Sequence, residues 1–309
     1  MKYVLISSSR NEEKFIPQTL DSVTRQTQLP GRWIIVDDGS IDRTGEIADS
    51  YAKSFSWITV VHNPRREGRS FAAKANNVNA AFAKLQADAV DFEVVGNLDT
   101  DTTFAPDYME FVLRKFAADP KLGCAGTPFT QDGGYDSTKD SFEGENYVAG
   151  PIQLFRRECF REVGGYVANP AGGVDWIAVM MARLKGWTVR SFADKRYHHH
   201  RSMGTAERSE VKALFSYGEK DYYLGNSPIW QVFRCTFRLA KKPYLVGGLA
   251  LLAGFSWAAI RRVKRPVSDE LVRFHRADQM LKLKNIFRSM LRLKKVDSFR
   301  AANEAKEAN

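Results

Sequence analysis

The chain is predicted to be an α/β protein, with a mostly parallel sheet flanked by helices and a helical C-terminal extension. Three observations predict this. Up to about residue 130, short apolar runs alternate with helix-period patterns, as a mostly parallel sheet requires. Polar clusters stand where three of the apolar runs end. Beyond Ser202 the composition turns basic and helical.

Tyr3 to Ser8, Trp33 to Val36, Trp57 to Val61 and Phe92 to Leu98 read as strands. Each is short, rich in β-branched or aromatic residues, and bounded by turn residues. Helices fall between them: Phe15, Ile16, Leu20 and Val23 share one helical face, and Phe71, Ala75, Val78, Phe82 and Leu85 another. This half is Rossmann-like. Further strands are expected at Cys124 to Phe129, Ile152 to Phe155 and Thr188 to Phe192, and a helix from Asp175 to Lys185, stopped by Gly186. The segment from Gln131 to Gly150, rich in Gly, Asp and Ser, suits a lid or substrate loop. Residues 1–205 are assigned to one domain and 206–309 to a second, helical region.

A chain of 309 residues that is 44% hydrophobic and 12% aromatic can bury a full core, which excludes disordered and disulfide-scaffold classes. The net charge of +10 favours anionic partners. Much of the excess lies between Arg261 and Lys295, so the charge marks the tail more than the sheet. A nucleic-acid binder would interleave aromatics with Lys and Arg across the sheet, and no nucleic-acid partner is expected. Cys124, Cys159 and Cys235 are odd in number and far apart, which points to a reducing compartment. The N-terminal apolar run is too short for a signal peptide.

The candidate chemistry lies at strand ends. Leu98-Asp99-Thr100-Asp101 ends an apolar run, and two carboxylates there can turn to one hard cation such as Mg²⁺ or Mn²⁺, which prefers oxygen ligands and phosphates. Val36-Asp37-Asp38-Gly39-Ser40 ends another; an acid there can accept hydrogen bonds from a nucleobase or ribose, and Asp42 or Thr44 can cap the next helix. The cluster Ser7 to Glu13 follows the first strand. Three such clusters make a crevice.

In these motifs the sequence resembles the family 2 glycosyltransferases, the GT-A-fold group that uses nucleotide-diphosphate sugars. The resemblance is carried by Ile6 to Glu12, Val36 to Thr44, Leu98 to Asp101 and Gly164-Gly165-Tyr166, and spans about residues 1–200. It implies that Asp38 holds the base or ribose, with Arg10 and Glu12 lining the same pocket. It implies Asp101 as principal metal ligand and Asp99 on the metal or the ribose. Arg69 and Lys74 stand where basic groups approach the nucleotide, or else on an exposed helix face. Gly165, Tyr166 and Trp176 are expected at the acceptor, while Trp187 suits a sugar platform or the core equally. The family's Glu-Asp pair is replaced here by Val174-Asp175, and Asp175 keeps the position of the general base. The resemblance implies that one histidine of the run His198-His199-His200-Arg201, either His199 or His200, completes the metal site or touches the diphosphate; His198 and His200 would share one face of an extended segment and His199 the other.

The resemblance implies a metal-dependent, inverting transfer of a hexosyl-type sugar to a saccharide or lipid-linked acceptor, in bacterial polysaccharide synthesis. Two alternatives are a nucleotidyltransferase and a non-catalytic subunit that binds the nucleotide sugar. The first would want a phosphate-cradling Gly-rich loop, and Ser7 to Glu13 contains no Gly.

The 17 residues from Tyr244 to Ile260 carry no charge and are flanked by Lys241-Lys242 and Arg261-Arg262. That is short for a membrane span, which needs about 20. A re-entrant or interfacial hairpin bent near Gly247-Gly248 or Gly254 is expected. Leu283, Ile286, Phe287, Met290 and Leu291 then form one face of a basic amphipathic helix, with Lys282, Lys284, Arg288, Arg292 and Lys295 around it. The extension is therefore expected on an anionic membrane surface, at the cytoplasmic face of the cell membrane.

Overall fold

Tyr3–Ser9 forms β1, whose Val4 and Ile6 enter one core cluster while Tyr3 and Leu5 enter another. A strand apolar on both faces must be covered on both. The computed structural model describes residues 1–65, 70–132, 134–140, 144–169, 172–201 and 210–291. From β1 the chain continues through α1 (Ile16–Thr24), β2 (Arg32–Asp37), α2 (Thr44–Ser54), β3 (Ile58–His62), α3 (Phe71–Ala87) and β4 (Val94–Leu98). There follow β5 (Thr102–Thr103), α4 (Tyr108–Ala118), β6 (Leu122–Gly126), β7 (Phe129–Gln131), α5 (Ser137–Asp140) and β8 (Ile152–Arg156). Then come α6 (Arg157–Glu162), α7 (Val174–Leu184), β9 (Thr188–Ser191) and β10 (Tyr197–His199).

Two compact units divide the chain: Met1–Pro170 with Val174–Arg201, and Ala171–Gly173 with Ser202–Asn309. In the first, the main sheet runs β3-β2-β1-β4-β8-β6-β9. It is parallel except for β8, which pairs antiparallel with both β4 and β6. The α/β class with a mostly parallel sheet is thus observed. α3, α6 and α7 supply the core on one face, and α1, α2 and α4 on the other. Ser70 starts α3 by accepting the Ala73 N–H at 3.3 Å, and Ala75, Val78, Phe82 and Leu85 of that helix are buried.

β2 and β3 lie on one side of β1 and β4 on the other, so the winding reverses at the β1–β4 pair. Open α/β sheets bind ligands beyond the strand ends at such a reversal. The strand expected over Cys124 to Phe129 is two. Pro128 offers no N–H to a ladder, and β7 beyond it joins a small second sheet of order β5-β10-β7. That sheet sets His199 opposite Thr102 on one side and Gln131 on the other. Within the segment from Gln131 to Gly150, Asp136 bridges to Thr130, and residues 133 and 141–143 lie outside the described residues.

The second unit holds α8 (Glu210–Tyr223), α9 (Pro228–Leu239), α10 (Val246–Ile260) and α11 (Asp269–Leu291). The hairpin expected at Tyr244 to Ile260 is not formed: α10 is one continuous helix. Its glycines serve close packing instead of a bend. A Cβ on Gly254 would overlap the Phe215 carbonyl oxygen of α8, and one on Gly218 of α8 would overlap the Leu251 carbonyl oxygen. Gly248 meets α9 at Cys235 and Leu239 in the same way. A buried polar network ties α11 to the start of α9: Asn226 Oδ1 accepts from Gln279 Nε2 (2.9 Å) and lies 2.8 Å from His275 Nε2, while the Ser227 N–H donates to Gln279 Oε1 (2.8 Å). No helix among the described residues is long and apolar enough to cross a membrane. On α11, Leu283 is buried and Phe287 exposed. The side chains of Met290 and Leu291, and Arg292 and Lys295, lie outside the described residues.

Candidate active site

The ends of β1, β2 and β4 are stitched together by polar side chains. Ser9 Oγ and Thr100 Oγ1 share a hydrogen bond of 2.8 Å across the winding reversal. Asn77 of α3 donates to Ser8 Oγ (2.9 Å) and accepts from Asn63 Nδ2 (2.9 Å). The Asp38 N–H donates to the Ser9 carbonyl (2.8 Å), and the Asp38 side chain is buried. Gly39, at φ 69°, completes the turn, and a Cβ there would stand 2.6 Å from the Pro64 carbonyl oxygen. Asp37 shapes this turn by accepting the Ser40 N–H at 3.0 Å. Asp42 accepts the Thr44 N–H (3.0 Å) and hydroxyl (2.5 Å), and Thr44 Oγ1 accepts the Glu12 N–H (2.7 Å). The residue at the cap of α2 is Arg43, whose side chain makes no capping bond, so neither Asp42 nor Thr44 is the helix cap; Asp42 holds the first residue of the helix, and Thr44 fastens Glu12.

β4 ends at Leu98, so Asp99 and Asp101 lie in a turn and their carboxylates part. Asp99 pairs with the Lys74 ammonium. Burial pushes the Asp99 carboxyl up, against the pull of Lys74, and Asp101 adds to the rise. Burial alone would lower Lys74, yet Asp99, Asp175 and Asp101 together hold it above its ordinary value. Asp99 is the ion-pair partner of the ammonium, and Asp175 and Asp101 reinforce its charge.

Asp101 is 7% exposed. Burial acts to raise its carboxyl, but His199, Arg201 and Lys74 outweigh that and hold it below the usual range. Its Oδ1 is buried and completes no hydrogen bond of good geometry; His199 Nε2 stands 3.3 Å away. Gln131 Nε2 lies 2.7 Å from His199 Nδ1 and donates to the Arg201 carbonyl at 2.8 Å. Arg201 spans the site, 2.5 Å from Glu12 Oε2 and 3.8 Å from Asp101 Oδ2.

His198 and His200 do share a face, their rings 4.7 Å apart. Of the two histidines expected at the metal, the fold brings the His199 ring to Asp101. His200 reaches Asp101 through its backbone N–H (2.9 Å to the Asp101 carbonyl), while its ring bonds Thr103 Oγ1 at 3.0 Å and stacks on Phe15. Burial, with His198, lowers the His200 imidazole.

An orphaned, buried carboxylate oxygen fits a divalent cation. Adjacent ligands of one octahedral ion at ~2.1 Å stand about 3 Å apart, close to the spacing of Asp101 Oδ1 and His199 Nε2. Among the described residues no three of His, Cys, Asp and Glu could hold an ion alone. Mg²⁺ is commonly held by one or two carboxylates, with waters and substrate phosphates completing its shell.

Asp175 opens α7 and is half-buried. The Tyr147 hydroxyl donates to its Oδ2 at 3.2 Å, and a Cβ on Gly150 would lie 2.5 Å from that oxygen, so only glycine leaves it room. Gly165, at φ 72°, packs on Asn79, which accepts the Tyr166 N–H (2.9 Å) and donates to the Tyr166 carbonyl (2.8 Å). Tyr166 was expected to face the acceptor, but its ring is 2% exposed and its hydroxyl donates to Gln153 (2.5 Å). Trp176 is 6% exposed. The Tyr166 ring belongs to the core, and neither buried ring offers an open face to an acceptor. Trp187 is partly buried against the same core and donates Nε1–H to Glu162 (2.8 Å). Arg10 is half-buried at the end of β1, and Arg69 lies outside the described residues. Arg201 and Gln131 were not singled out for the site. Arg201 adjoins the His run, which is its only signal; Gln131 has none short of the strand pairing.

The model of glycosyl transferase family 2 matches residues 5–168. An uncharacterized glycosyltransferase of Haemophilus influenzae is 32% identical over 197 residues, covering 62% of this chain and 58% of that protein. A poly-beta-1,6-N-acetyl-D-glucosamine synthase of Staphylococcus epidermidis is 26% identical over 172 residues, covering 50% and 39%. The chain spans about half the length of the curated relatives it matches. Among solved structures, the mannosyltransferase PcManGT from Pyrobaculum calidifontis, in complex with GDP-Man and Mn²⁺, superposes with a TM-score of 0.55 at 18% identity, covering 97% of this chain and 85% of that one. S. aureus TarS 1-349 in complex with UDP-GlcNAc gives 0.53 at 16% identity, covering 100% and 92%. At such identities the likeness speaks for the fold, which is that of the GT-A enzymes. The family model runs from β1 through the Asp38 turn and the Asp99–Asp101 turn to the loop holding Tyr166, over more than half of the chain, and the protein belongs to glycosyl transferase family 2.

Proposed function

We propose that the chain transfers a sugar from a nucleotide-diphosphate donor to an acceptor hydroxyl in one inverting displacement. The observation that carries this is the pairing of Lys74 with Asp99 just beyond β4, next to an Asp101 whose buried Oδ1 completes no hydrogen bond and faces His199. Asp38, with Arg10 and Glu12 beside it, receives the base and ribose. Lys74 offers its charge to the diphosphate while Asp99 holds the ammonium in place. Asp101, with His199, would hold Mg²⁺ or Mn²⁺, which when bound neutralises charge on the leaving diphosphate. Asp175, steadied by Tyr147, takes the proton from the attacking hydroxyl, a contribution of about 10² to 10⁴ in rate. A relative that is a poly-beta-1,6-N-acetyl-D-glucosamine synthase, and structural neighbours in complex with GDP-Man and UDP-GlcNAc, support a nucleotide-sugar donor and a polysaccharide-type product. A screen of nucleotide sugars for release of nucleoside diphosphate, with Mg²⁺ or Mn²⁺ and saccharide or lipid-linked acceptors, tests the reading. Asp175→Asn should lose turnover and keep donor affinity. Unchanged turnover would remove Asp175 from the reaction.

The acceptor is proposed to be reached at the cytoplasmic face of the cell membrane, with α10 lying in the anionic lipid surface. Leu245, Leu249, Leu252 and Ile260 leave one side of this uncharged helix bare, at 63%, 60%, 36% and 77% exposure. Tyr244 and Trp257 are exposed towards its two ends, and Lys242, Arg261 and Arg262 flank it. Apolar residues between exposed aromatics, with cations at both ends, match an interface of acyl chains under anionic headgroups. The full chain should sediment with phosphatidylglycerol vesicles and not with phosphatidylcholine. Leu249→Glu with Ile260→Glu should abolish this and leave donor binding intact. Equal sedimentation of the variant would refute the surface, and self-association relieved by the variant would reassign it to a second copy of the chain.

A further inference from the structure

His62 ends β3 and stands between two carboxylates. Its Nδ1 is 3.1 Å from Asp37 Oδ2, and its Nε2 is 3.1 Å from Asp49 Oδ1. A carboxylate only accepts, and a neutral imidazole has one N–H to give. Both contacts are therefore satisfied together only by the imidazolium. The bond to Asp37 is the main cause that lifts the imidazole above its ordinary value, burial opposes it, and Asp49 adds to the rise. Asp37 from β2 and Asp49 from α2 are the titratable groups facing the ring among the described residues. Gly45 of α2 closes over the pair: a Cβ there would stand 2.7 Å from Asp37 Oδ2 and 3.1 Å from the ring.

The other oxygen of Asp37 accepts the Ser40 N–H (3.0 Å), and its carbonyl accepts the Asn63 N–H (2.8 Å). Asp37 thus fixes the turn through Gly39 that presents Asp38, and His62 fixes Asp37. We infer that His62 is a positioning residue whose clamp on Asp37 and Asp49 sets the affinity for the nucleoside end of the donor. This rests on the reading of Asp38 as the group that receives base and ribose. His62 itself is about half exposed and is bonded to Asp49 of α2.

When the imidazolium loses its proton, one of the two bonds is lost. Asp37, 11% exposed against 45% for Asp49, is the costlier partner to leave unpaired, so the neutral ring keeps Asp37 and lets Asp49 go. The turn is then held by a bond from a neutral ring to the Asp37 carboxylate, with the ring anchored on one side only. Nucleoside affinity should weaken as pH rises through the His62 value and level off beyond it.

The test is calorimetric binding of UDP and of GDP, each with Mg²⁺, from pH 5.5 to 8.5, on the full chain, His62→Gln and Asp49→Asn. Glutamine donates one hydrogen bond and carries no charge. His62→Gln should weaken the preferred nucleotide about tenfold at pH 6, a change of ~1.4 kcal/mol. It should also flatten the pH profile and leave kcat within about twofold. Asp49→Asn, made on the exposed side, should move the break in the profile to lower pH, and it carries the test if His62→Gln does not fold. Parallel pH profiles for wild type and both variants, or a loss confined to kcat, overturn the inference. If wild type binds neither nucleotide, the donor reading fails and the inference with it; binding that ignores His62 overturns the inference alone.

Discussion

Removing the charge of Lys74 should destabilise the first unit far more than removing the Lys74–Asp99 pair together. The two side chains are 24% and 25% exposed, so the pair sits mostly out of water. Unit charges near 4 Å apart attract by about 4 kcal/mol at an effective dielectric of 20. Desolvation of both groups offsets much of this, which leaves the intact pair a small net contributor. Lys74→Met changes the balance: Asp99 stays buried beside Asp101 with its cation gone. Breaking a fully buried pair costs about 3–5 kcal/mol, and the residual exposure here lowers that to roughly 2–3 kcal/mol. In a unit of this size that is a fall of roughly 5–10 °C in melting temperature. Lys74→Met with Asp99→Asn should recover most of the loss, giving a coupling of about 2 kcal/mol in the double-mutant cycle. The assay is urea denaturation at pH 7 followed by circular dichroism, with midpoints compared at constant slope. Additive losses, with coupling below about 0.5 kcal/mol, would show that Asp99 is not the counter-ion that keeps Lys74 in place.

Asp101→Asn should abolish the gain in donor affinity on adding Mg²⁺ or Mn²⁺, while Asp99→Asn keeps part of it; titration of nucleotide with and without chelator separates the two, and equal losses would put both carboxylates on the ion. Gly254→Leu should unfold or loosen the helical unit at a cost above the ~1–3 kcal/mol usual for overpacking, because the obstacle is the Phe215 backbone and not a movable side chain; a melt unchanged within error would refute the close α8–α10 approach. The raised His62 value stabilises the fold fully below the unfolded value near 6.5, and the contribution is lost as pH rises through the folded value. Melts of wild type minus His62→Gln should therefore converge from pH 6 to 8.5, and a gap that widens would reverse the assignment.

The parts of this protein legible in its sequence are those decided by neighbours along the chain. β1, β2 and β4 are near-continuous apolar runs because helices cover both faces of the sheet, and the Asp38 and Asp101 turns are visible as acids where such runs stop. The direction of β8 is not legible, since Ile152 to Arg156 is equally apolar whichever way it enters between β4 and β6. The form of α10 is not legible because glycine has two uses: it tolerates a bend, and it lets another backbone approach, and only the presence of α8 decides between them. The same limit governs the site. Asp-x-Asp reads as a pair aimed one way because alternate residues of a strand share a face. The strand stops at Leu98, Thr100 turns to Ser9, and the two acids are claimed by different partners, Lys74 on α3 and His199 on β10. Those partners lie 25 and 98 positions away in the chain. The motif places two acids at one strand end, and the through-space contacts separate them: Asp99 is paired with a cation of the protein, while Asp101 keeps a buried oxygen that completes no hydrogen bond, which is why the proposed ion is assigned to Asp101.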